Sequence, residues 1–318
     1  MKIVILERGT VGSDVSIEIL RGLGDVDVYE DSLPEEIAER VADADIVIAN
    51  KRSMNRQTLE KADRLKMICQ FATGYDNIDL DYCKSRGIAV ANVKDYCTAS
   101  VTQHTFAMAL YLLEHLPYYD HFVRGGIYSA QQRFTCFDRS FCELEGKCWG
   151  IIGMGNIGRR VASAAASLGC RVIWASTSGV SRDEAFPCVA FEELLSESDI
   201  ISLHCPLNEK SRHLIDAAAF SHMKKEVILL NLARGAVVDQ QALADALRQD
   251  RIAAAGLDVV DGEPLRTDNP LYALLEDERL FITPHMGWAA LEARTRVVEE
   301  AYRNIEAFQK GLSRNRII

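Results

Sequence analysis

The sequence lacks the features that mark several large classes of protein. Acidic residues outnumber basic ones by 46 to 36, so the formal net charge is −10. Because binding to a nucleic-acid backbone needs a basic face, this balance argues against nucleic acid as a general partner. No apolar run reaches the roughly 18 residues that a membrane-spanning helix needs. We therefore expect neither a nucleic-acid-binding protein nor a membrane protein.

Cysteine and histidine also lack the spacings that would indicate a disulfide framework or a metal site. The nine cysteines run from Cys69 to Cys205 without a C-x-x-C pair, and their number is odd. Reduced thiols in a cytoplasmic protein are the simplest interpretation. The opening apolar run at residues 1–6 is too short for a signal peptide, which agrees with a cytoplasmic location. We expect no bound metal.

Short β-rich runs alternate with helical patterns along almost the whole chain. Repeated strand-then-helix units predict a parallel sheet that is covered by helices on both faces. The first series has candidate strands at 2–6, 25–29, 44–50, 65–70 and 88–93. A helix is predicted at 13–23, between the first two of these strands. The second has candidate strands at 148–153, 170–175, 198–205, 226–233, 252–260 and 279–284. We therefore predict an α/β protein with two doubly wound parallel-sheet domains.

The segment between the two series has a different character. Residues 98–116 are predicted as one long, mostly apolar helix, and Pro117 is expected to end it because the residue before proline avoids the helical region. Residues 118–146 are aromatic and polar with little periodicity, which favours a packed or subunit-contacting arm over a disordered linker. A final amphipathic helix is predicted at about 289–311.

A glycine-rich turn follows the first strand of the second series. Gly153, Gly155 and Gly158 match the pattern G-x-G-x-x-G, between an apolar strand and a helical run. The first glycine permits a tight turn, the second lets the backbone approach a pyrophosphate, and the third lets helix and strand pack closely. Free N–H groups at the start of the helix favour the negative charge. The sequence therefore predicts a dinucleotide site.

The end of the next strand leaves the choice of dinucleotide open. An acid usually stands there to bind the adenosine ribose, but this sequence has Ser176, Thr177 and Ser178. Without a carboxylate nothing repels a 2′-phosphate, and the hydroxyls can donate to a phosphate or to a ribose. Arg182 is the nearest arginine downstream. We expect Ser176 and Thr177 to contact NAD or NADP, at a site that tolerates NADP.

Three later strands are each followed by a chemically useful side chain. Arg234, Glu263 and His285 follow the fourth, fifth and sixth strands of the second series. The carboxyl ends of parallel strands meet at one edge of the sheet, and the glycine turn lies at that same edge. We therefore expect the three side chains to face one dinucleotide and one substrate.

These three residues suit the reduction of a 2-keto acid, which needs a hydride and a proton. The dinucleotide supplies the hydride. His285 can supply the proton, since histidine is the side chain best suited to proton transfer near neutral pH. A carboxylate at Glu263 would favour the protonated ring and hold it in place. Arg234 can pair with a planar carboxylate through two hydrogen bonds and polarise the carbonyl.

With these residues identified, the sequence resembles the D-isomer-specific 2-hydroxyacid dehydrogenase family from about residue 40 to 300. The resemblance rests on FATGYDNIDL, TASVTQHTFAMAL, GMGNIG, HCPLNEKSRHLI, NLARGAVVD, GLDVVDGEP and TPHMGWAA. It implies that Arg234, Glu263 and His285 form the catalytic triad. It also implies coenzyme contacts at Asn156, Ile157, Cys205, Pro206, Leu232, Ala233 and Asp258.

The resemblance also implies a domain plan that periodicity alone does not reveal. Residues 1–98 and 288–318 would form a discontinuous, flavodoxin-like substrate domain. Residues 99–287 would form a Rossmann coenzyme domain. The region at about 98–146 would serve as a dimerisation arm, so a homodimer is expected.

Within the family, the segment ANKRSMNRQTL and the Trp in HMGWAALEAR are similar to the glycerate dehydrogenase, or hydroxypyruvate reductase, branch. This similarity places Lys51 near the substrate, with a solvated loop lysine as the alternative. Backbone N–H groups of Thr73 and Gly74 would hold the substrate carboxylate. The implied activity is reduction of hydroxypyruvate or glyoxylate. A D-lactate or D-2-hydroxyisocaproate dehydrogenase stays open, as does a dinucleotide-sensing binding protein on the same fold.

Overall fold

The chain forms two compact units. A computed structural model describes residues 1–179 and 185–318. One unit combines Met1–Cys97 with Trp288–Ile318, and we call it the split unit. The other spans Thr98–Gly287, and we call it the continuous unit. Each unit is built on its own parallel sheet.

The split unit contains five parallel strands. They are β1 (Lys2–Ile5), β2 (Asp25–Val28), β3 (Ile46–Ala49), β4 (Met67–Gln70) and β5 (Ala89–Ala91). Their order is β2-β1-β3-β4-β5, which is the flavodoxin-like order. The central strands β3 and β4 are buried at every position, as expected for a parallel sheet with both faces covered. The predicted fold class of this region is confirmed.

Three short helices and one long C-terminal helix belong to this unit. They are α1 (Ile37–Arg40), α2 (Arg56–Leu59), α3 (Leu80–Ser85) and the C-terminal helix (Leu291–Gln309). Ile37, Leu59 and Cys83 of the short helices share one apolar cluster with the buried side chains of the strands. The C-terminal helix packs on β4 and buries Ala301 and Ile305 completely.

The predicted helix at 13–23 is wrong. The structure has two 3₁₀ turns in this region, Arg8–Val11 and Glu18–Leu23. Between them, Gly12 adopts a left-handed φ of 77° and its carbonyl oxygen accepts a hydrogen bond from Arg8 Nη1 at 2.6 Å. Glycine is a poor helix former, and here its carbonyl oxygen also accepts at 3.2 Å from the N–H of Val15, three residues later, as in a tight turn.

The continuous unit contains six parallel strands. They are β6 (Cys148–Ile152), β7 (Arg171–Ala175), β8 (Ile200–Leu203), β9 (Ile228–Asn231), β10 (Ala254–Leu257) and β11 (Leu280–Ile282). Their order is β11-β10-β9-β8-β6-β7. The chain direction across the sheet reverses at β6, which lies between β7 and β8, and such a switch point is where doubly wound folds bind ligands. The predicted second sheet is confirmed.

Seven helices accompany this sheet in the described part of the unit. They are α4 (Thr98–Leu113), α5 (Leu116–Arg124), α6 (Ile127–Ala130), α7 (Asn156–Ser167), α8 (Phe191–Glu197), α9 (Ala217–His222) and α10 (Gln240–Arg248). Helix α4 packs on β9 and β10. The approach is close at Gly256, where an added Cβ would lie 3.3 Å from methyl groups of Met108 and Leu112. No helix of the described residues is long and apolar enough to cross a membrane.

The predicted helix at 98–116 is shorter than expected, and the segment after it is more regular. Helix α4 ends at Leu113, and His115 adopts a left-handed φ of 51°. Pro117 lies in the first turn of α5, where its missing N–H group has no intrahelical partner to lose. Proline therefore starts a new helix here instead of only ending the old one, so the segment at 118–146 contains helical turns.

Candidate active site

The predicted site residues of the continuous unit lie just beyond the carboxyl ends of its strands. In strand order from β6 to β11, the first predicted residue after each strand is Gly153, Ser176, Cys205, Leu232, Asp258 or His285. Because β7, β6 and β8 are neighbours, the glycine turn, Ser176 and Cys205 share one half of this edge, whereas the predicted coenzyme contacts Leu232, Ala233 and Asp258 follow β9 and β10. The catalytic candidates follow β9, β10 and β11, which form the other half. Parallel pairing thus brings both groups to one edge.

The glycine turn combines two crowded positions with one open position. Gly153 has a φ of 98°, and an added Cβ there would lie 2.7 Å from the backbone nitrogen of Cys205. An added Cβ at Gly158 would collide with the carbonyl oxygen of Gly153, because α7 packs closely on β6. At Gly155, apart from its two chain neighbours, no atom of the described residues lies within 4 Å of an added Cβ. The open space at Gly155 is what close approach of a ligand to the backbone requires.

The start of α7 also fits the phosphate groups of a dinucleotide. Helix α7 begins at Asn156, and its N-cap residue Gly155 has no side chain that could accept from the first N–H groups. Such donors, together with the helix dipole, favour an anion. Asn156 is exposed and Ile157 is half-buried beside the turn. The residues present therefore fit a dinucleotide, whose pyrophosphate Gly155, Asn156 and Ile157 would hold.

The end of β7 presents hydroxyl groups where an acidic residue is usual. Ser176 and Thr177 are half-buried, and Ser178 is exposed. The Oγ atoms of Ser176 and Ser178 are 3.2 Å apart. Arg182, the downstream arginine considered for a 2′-phosphate, lies outside the described residues. The described end of the strand thus offers neutral hydrogen-bonding groups to a ribose or to its phosphate.

The other residues near the coenzyme edge are mostly buried and uncharged. Cys205, Leu232 and Ala233 are buried, whereas Pro206 is exposed. Burial raises the pKa of Cys205 to about 11, so its thiol stays protonated at neutral pH. Burial lowers the pKa of His204 to about 3, and neither ring nitrogen has a hydrogen-bond partner among the described residues. Its imidazole is therefore neutral.

A hydrogen bond joins the histidine and the glutamate of the predicted triad. His285 Nδ1 lies 2.7 Å from Glu263 Oε2. Glu263 Oε1 accepts a long hydrogen bond of 3.4 Å from the backbone N–H of Val260. The side chains of His285 and Glu263 are 24% and 34% exposed, so a ligand can reach them. Since the carboxylate occupies Nδ1, Nε2 is the ring nitrogen that can exchange a proton with a ligand.

Asp258 holds the segment that carries His285. Its Oδ1 accepts from the Thr283 hydroxyl at 2.7 Å and from the Met286 N–H at 2.8 Å. Its Oδ2 accepts from the Gly287 N–H at 2.8 Å, and its backbone oxygen accepts from the His285 N–H at 2.8 Å. Burial alone would raise the pKa of Asp258, but its hydrogen bonds outweigh burial and hold the pKa below its ordinary value. The carboxylate therefore stays charged.

Two residues of α4, Ser100 and His104, also bind the segment that carries His285. The sequence analysis did not identify either of them as part of the site. His104 Nε2 lies 2.9 Å from Thr283 Oγ1, and Ser100 Oγ donates to the carbonyl oxygen of Gly287 at 2.6 Å. Because the Thr283 hydroxyl gives its proton to Asp258, His104 Nε2 has to be the donor. Ser100 and His104 are four residues apart and share one helix face, a spacing that the sequence does contain.

The turn that carries Arg234 packs on the segment that leads to Glu263. Arg234 Nη1 donates to the carbonyl oxygen of Ala233 at 2.8 Å. At the next residue, Gly235, an added Cβ would collide with the backbone at residues 260–261. This close approach is possible only because Gly235 has no side chain, and it brings the Arg234 turn next to the glutamate segment.

The predicted substrate-side residues lie in the split unit, beyond the carboxyl ends of its strands. Lys51 follows β3, is exposed, and donates its backbone N–H to Glu7 Oε2 at 2.9 Å. Thr73 and Gly74 follow β4. The carbonyl oxygen of Thr73 accepts from Asn92 Nδ2 at 2.7 Å. Hydrogen bonds from other strand ends thus hold both loops, and sequence reasoning did not foresee Glu7 or Asn92.

Comparison with known proteins identifies the family of the chain. Residues 106–287 match the model of the D-isomer specific 2-hydroxyacid dehydrogenase, NAD binding domain. A hydroxypyruvate reductase from Blautia hydrogenotrophica is 39% identical over 317 residues, which cover 98% of each chain. The chain belongs to the D-isomer-specific 2-hydroxyacid dehydrogenase family. It is therefore an oxidoreductase of the type that acts on the CH–OH group of 2-hydroxy acids, with an NAD-binding domain.

Two solved structures of this family's fold carry bound coenzymes. A D-lactate dehydrogenase from Aquifex aeolicus, complexed with NAD and lactic acid, is 30% identical with a TM-score of 0.84, and the match covers 98% of this chain and 96% of that one. An acyclic imino acid reductase in complex with NADPH and D-Arg is 30% identical with a TM-score of 0.89, and the match covers 100% of both chains. Similar structures thus hold either dinucleotide.

The contrast between Gly155 and Gly158 generates a prediction about coenzyme binding. Gly155→Ala should leave thermal stability unchanged, since space is open there, but should weaken dinucleotide affinity at least about tenfold because a methyl group blocks the pyrophosphate. Gly158→Ala should destabilise the continuous unit by about 1–3 kcal/mol, as overpacking does. Thermal unfolding and fluorescence titration with NADH and NADPH measure both effects.

Gly22→Ala is the control for these two variants, because an added Cβ there meets no atom within 4 Å and the residue lies in the split unit. It should change neither property. Unchanged coenzyme affinity in the Gly155→Ala variant would contradict the proposed position of the pyrophosphate.

Proposed function

We propose that this family member reduces a small 2-keto acid, hydroxypyruvate to D-glycerate or glyoxylate to glycolate. The observation that carries the proposal is the 2.7 Å hydrogen bond between His285 Nδ1 and Glu263 Oε2 at the edge that also bears the glycine turn. A bound nicotinamide supplies the hydride that adds to C2 of the keto acid. All other steps are assigned to side chains and backbone groups of this chain.

The histidine–glutamate pair handles the proton. In the protonated ring, Nδ1–H donates to Glu263 and Nε2–H gives its proton to the carbonyl oxygen of the substrate as the hydride arrives. In the reverse direction the neutral ring accepts the hydroxyl proton at Nε2. The negative charge of Glu263 stabilises the imidazolium and fixes the orientation of the ring. Asp258 keeps the backbone of His285 in its left-handed conformation, with a φ of 52°.

Arg234 and the loops of the split unit are assigned to the substrate carboxylate. A guanidinium matches a carboxylate with two parallel hydrogen bonds, which also orients the neighbouring carbonyl group. In the split unit, the family resemblance assigns the backbone N–H groups of Thr73 and Gly74 to the substrate carboxylate. Lys51 is exposed and adds positive charge at its loop, which favours an anionic substrate.

The relatives support a small substrate and also supply the alternative. The 39% identity to a hydroxypyruvate reductase over almost the whole chain favours hydroxypyruvate. The similarity to a D-lactate dehydrogenase that binds lactic acid favours pyruvate as the second candidate. Both reactions would use the same triad. The choice between hydroxypyruvate and pyruvate would therefore depend on the loops around C3, which carries a hydroxyl group in hydroxypyruvate and none in pyruvate. A purely dinucleotide-sensing role is less well supported, since sensing alone needs no histidine–glutamate pair.

We propose that NADPH is accepted at least as well as NADH. The described end of β7 has hydroxyl groups and no carboxylate to repel a 2′-phosphate. A similar structure holds NADPH, which is compatible with this choice. The hydroxyl groups of Ser176 and Thr177 can donate to the phosphate oxygens.

The test of both proposals is one set of parallel assays. Hydroxypyruvate, glyoxylate, pyruvate and 2-ketoisocaproate are each reduced with NADH and with NADPH while absorbance at the nicotinamide band is followed. The highest kcat/KM is expected for hydroxypyruvate, with NADPH at least equal to NADH. A preference for pyruvate would support the second candidate, and a strong preference for NADH would mean that the hydroxyl groups bind the ribose. No turnover of any keto acid would favour the sensing role.

His285→Ala should lower kcat about a thousandfold or more, since it removes the proton donor of the reaction. Coenzyme affinity should be nearly unchanged, because the dinucleotide-binding residues lie at other strand ends. His222→Ala is the control, as His222 is exposed at the end of α9. Turnover and fluorescence titration separate the two effects. Loss of coenzyme binding in His285→Ala would indicate a structural role for the histidine.

We also propose that the segment 116–141 joins two copies of the chain. Phe134, Phe137 and Phe141 are 90%, 80% and 60% exposed. Exposed aromatic side chains that lie together in sequence are typical of a surface that another protein covers. The family resemblance assigns this region to dimerisation, so a second copy is the proposed occupant.

The double variant Phe134→Ser, Phe137→Ser should shift the protein from dimer to monomer, because it removes two of the most exposed apolar side chains of this segment. Sedimentation equilibrium measures the mass of both forms. Leu312→Ser is the matched control, since Leu312 is 60% exposed but lies in the split unit. A wild-type protein that is monomeric at micromolar concentration would overturn the proposal.

A further inference from the structure

We propose that Glu7 is a positioning residue for substrate binding. Its carboxylate, only 3% exposed, is bound to the backbone of the loop formed by residues 50–53, which we call the 50–53 loop. The inference rests on the proposed function, because it is that proposal which assigns Lys51, Thr73 and Gly74 to the substrate.

The carboxylate binds three successive backbone N–H groups. Glu7 Oε2 accepts from Asn50 at 2.8 Å, from Lys51 at 2.9 Å and from Arg52 at 3.0 Å. Three successive N–H groups that converge on one point form a concave anion site, and here the anion belongs to the chain itself. Hydrogen bonds to a charged acceptor are stronger than hydrogen bonds between neutral groups. The guanidinium of Arg52 adds a positive charge beside the carboxylate, with Nε 3.8 Å from Glu7 Oε1.

Side-chain amides bind the carbonyl groups of the same loop. Gln70 Nε2 donates to the carbonyl oxygen of Asn50 at 2.5 Å and to Asn77 Oδ1 at 2.9 Å. Asn77 Nδ2 donates to the carbonyl oxygen of Arg52 at 2.7 Å. Three N–H groups and two C=O groups of the loop are therefore bound by buried or half-buried side chains. These hydrogen bonds restrain the backbone of the loop.

The network also holds the loop formed by residues 71–78, which contains Thr73 and Gly74. The backbone N–H of Met54 donates to the carbonyl oxygen of Asn77 at 2.9 Å. Through Asn77, the 50–53 loop and the 71–78 loop thus share one set of hydrogen bonds. Glu7 is therefore proposed to position both loops that carry the residues assigned to the substrate. It is not assigned a contact to the substrate itself.

The strand order of the split unit explains why these residues meet. Glu7 follows β1, the 50–53 loop follows β3, and Gln70 is the last residue of β4. These three strands are neighbours in the sheet. In a parallel sheet their carboxyl ends lie side by side, so a carboxylate after the first strand can reach the loop after the second.

Asp45 provides a matched comparison within the same unit. It is 4% exposed and precedes β3, so it lies at the opposite, amino edge of the sheet. Its carboxylate accepts from the Lys2 N–H at 2.8 Å, from Arg64 Nη2 at 3.0 Å and from Lys66 Nζ at 3.2 Å. Asp45 is therefore equally buried and equally bound, but it holds no loop that is assigned to the substrate.

The test compares Glu7→Gln with Asp45→Asn. A glutamine keeps one neutral acceptor oxygen but places an NH₂ group where Oε1 accepts from the Lys51 N–H at 3.1 Å, so Glu7→Gln should loosen the 50–53 loop. We expect KM for hydroxypyruvate to rise about tenfold, with a much smaller change in kcat and unchanged coenzyme affinity. Asp45→Asn should leave KM unchanged. Both variants should lower the thermal unfolding temperature, so stability alone does not distinguish them.

A second measurement separates this inference from the proposed function. Amide hydrogen exchange should become faster in the 50–53 and 71–78 loops of Glu7→Gln but not of Asp45→Asn, whatever the substrate is. Wild-type protein that reduces no keto acid would overturn the proposed function, and the exchange result would still test the network. Equal KM changes in both variants, or unchanged exchange and KM in Glu7→Gln, would overturn the positioning role.

If Glu7→Gln does not fold, Asn77→Ala takes its place. This variant removes the donor to the carbonyl oxygen of Arg52 and the acceptor of Gln70, but it keeps the buried carboxylate. The same rise in KM, with unchanged coenzyme affinity, is expected. An unchanged KM in Asn77→Ala would overturn the role of the network.

Discussion

Parallel strand pairing is the constraint on which the rest of this structure depends. Every strand of a parallel sheet ends at the same edge, so a chain that returns to the sheet places the residues after each strand side by side. In the continuous unit this brings Gly153, Arg234 and His285 to one edge although they are far apart in sequence. In the split unit the same constraint joins Glu7 to the 50–53 loop.

Loops at a sheet edge still need to be held, and both units use a buried carboxylate for this. Asp258 binds backbone N–H groups next to His285, and Glu7 binds those around Lys51. In each case the donors are N–H groups that no strand or helix satisfies, and the acceptor is charged. Such hydrogen bonds are strong. Forming them costs little conformational entropy, because the carboxylate is attached close to the end of a rigid strand.

Glycine residues allow segments of the backbone to approach one another closely. Gly235 lets the Arg234 turn lie against the glutamate segment, and Gly158 lets α7 pack on β6. At Gly155 the same absence of a side chain leaves open space at the start of a helix. One residue type thus permits close packing at two positions and leaves open space at a third, and only the surrounding atoms distinguish these cases.

The sequence by itself determined the two parallel sheets, the family, and the strand ends that carry the candidate chemistry. Alternating apolar runs and helical patterns predict such sheets, and the edge rule follows from parallel pairing. The motifs around Gly153, Arg234 and His285 are each continuous in sequence, so they can be identified without a structure. The roles proposed for these residues rest on their chemistry and on the family resemblance.

Only the tertiary structure decided how those strand ends are supported. Glu7 looks like an ordinary acid in the sequence, and Asp258 is marked there only as an implied coenzyme contact. The backbone N–H groups that both carboxylates bind belong to distant segments. His104 lies in an apolar helix, and its bond to Thr283 depends on how α4 packs against the sheet. At the start of the 13–23 segment, Arg8 donates to the carbonyl oxygens of Gly12 and Val15. Side-chain to backbone contacts of this kind have no periodicity, so a sequence pattern cannot encode them, and folding alone brings the partners together.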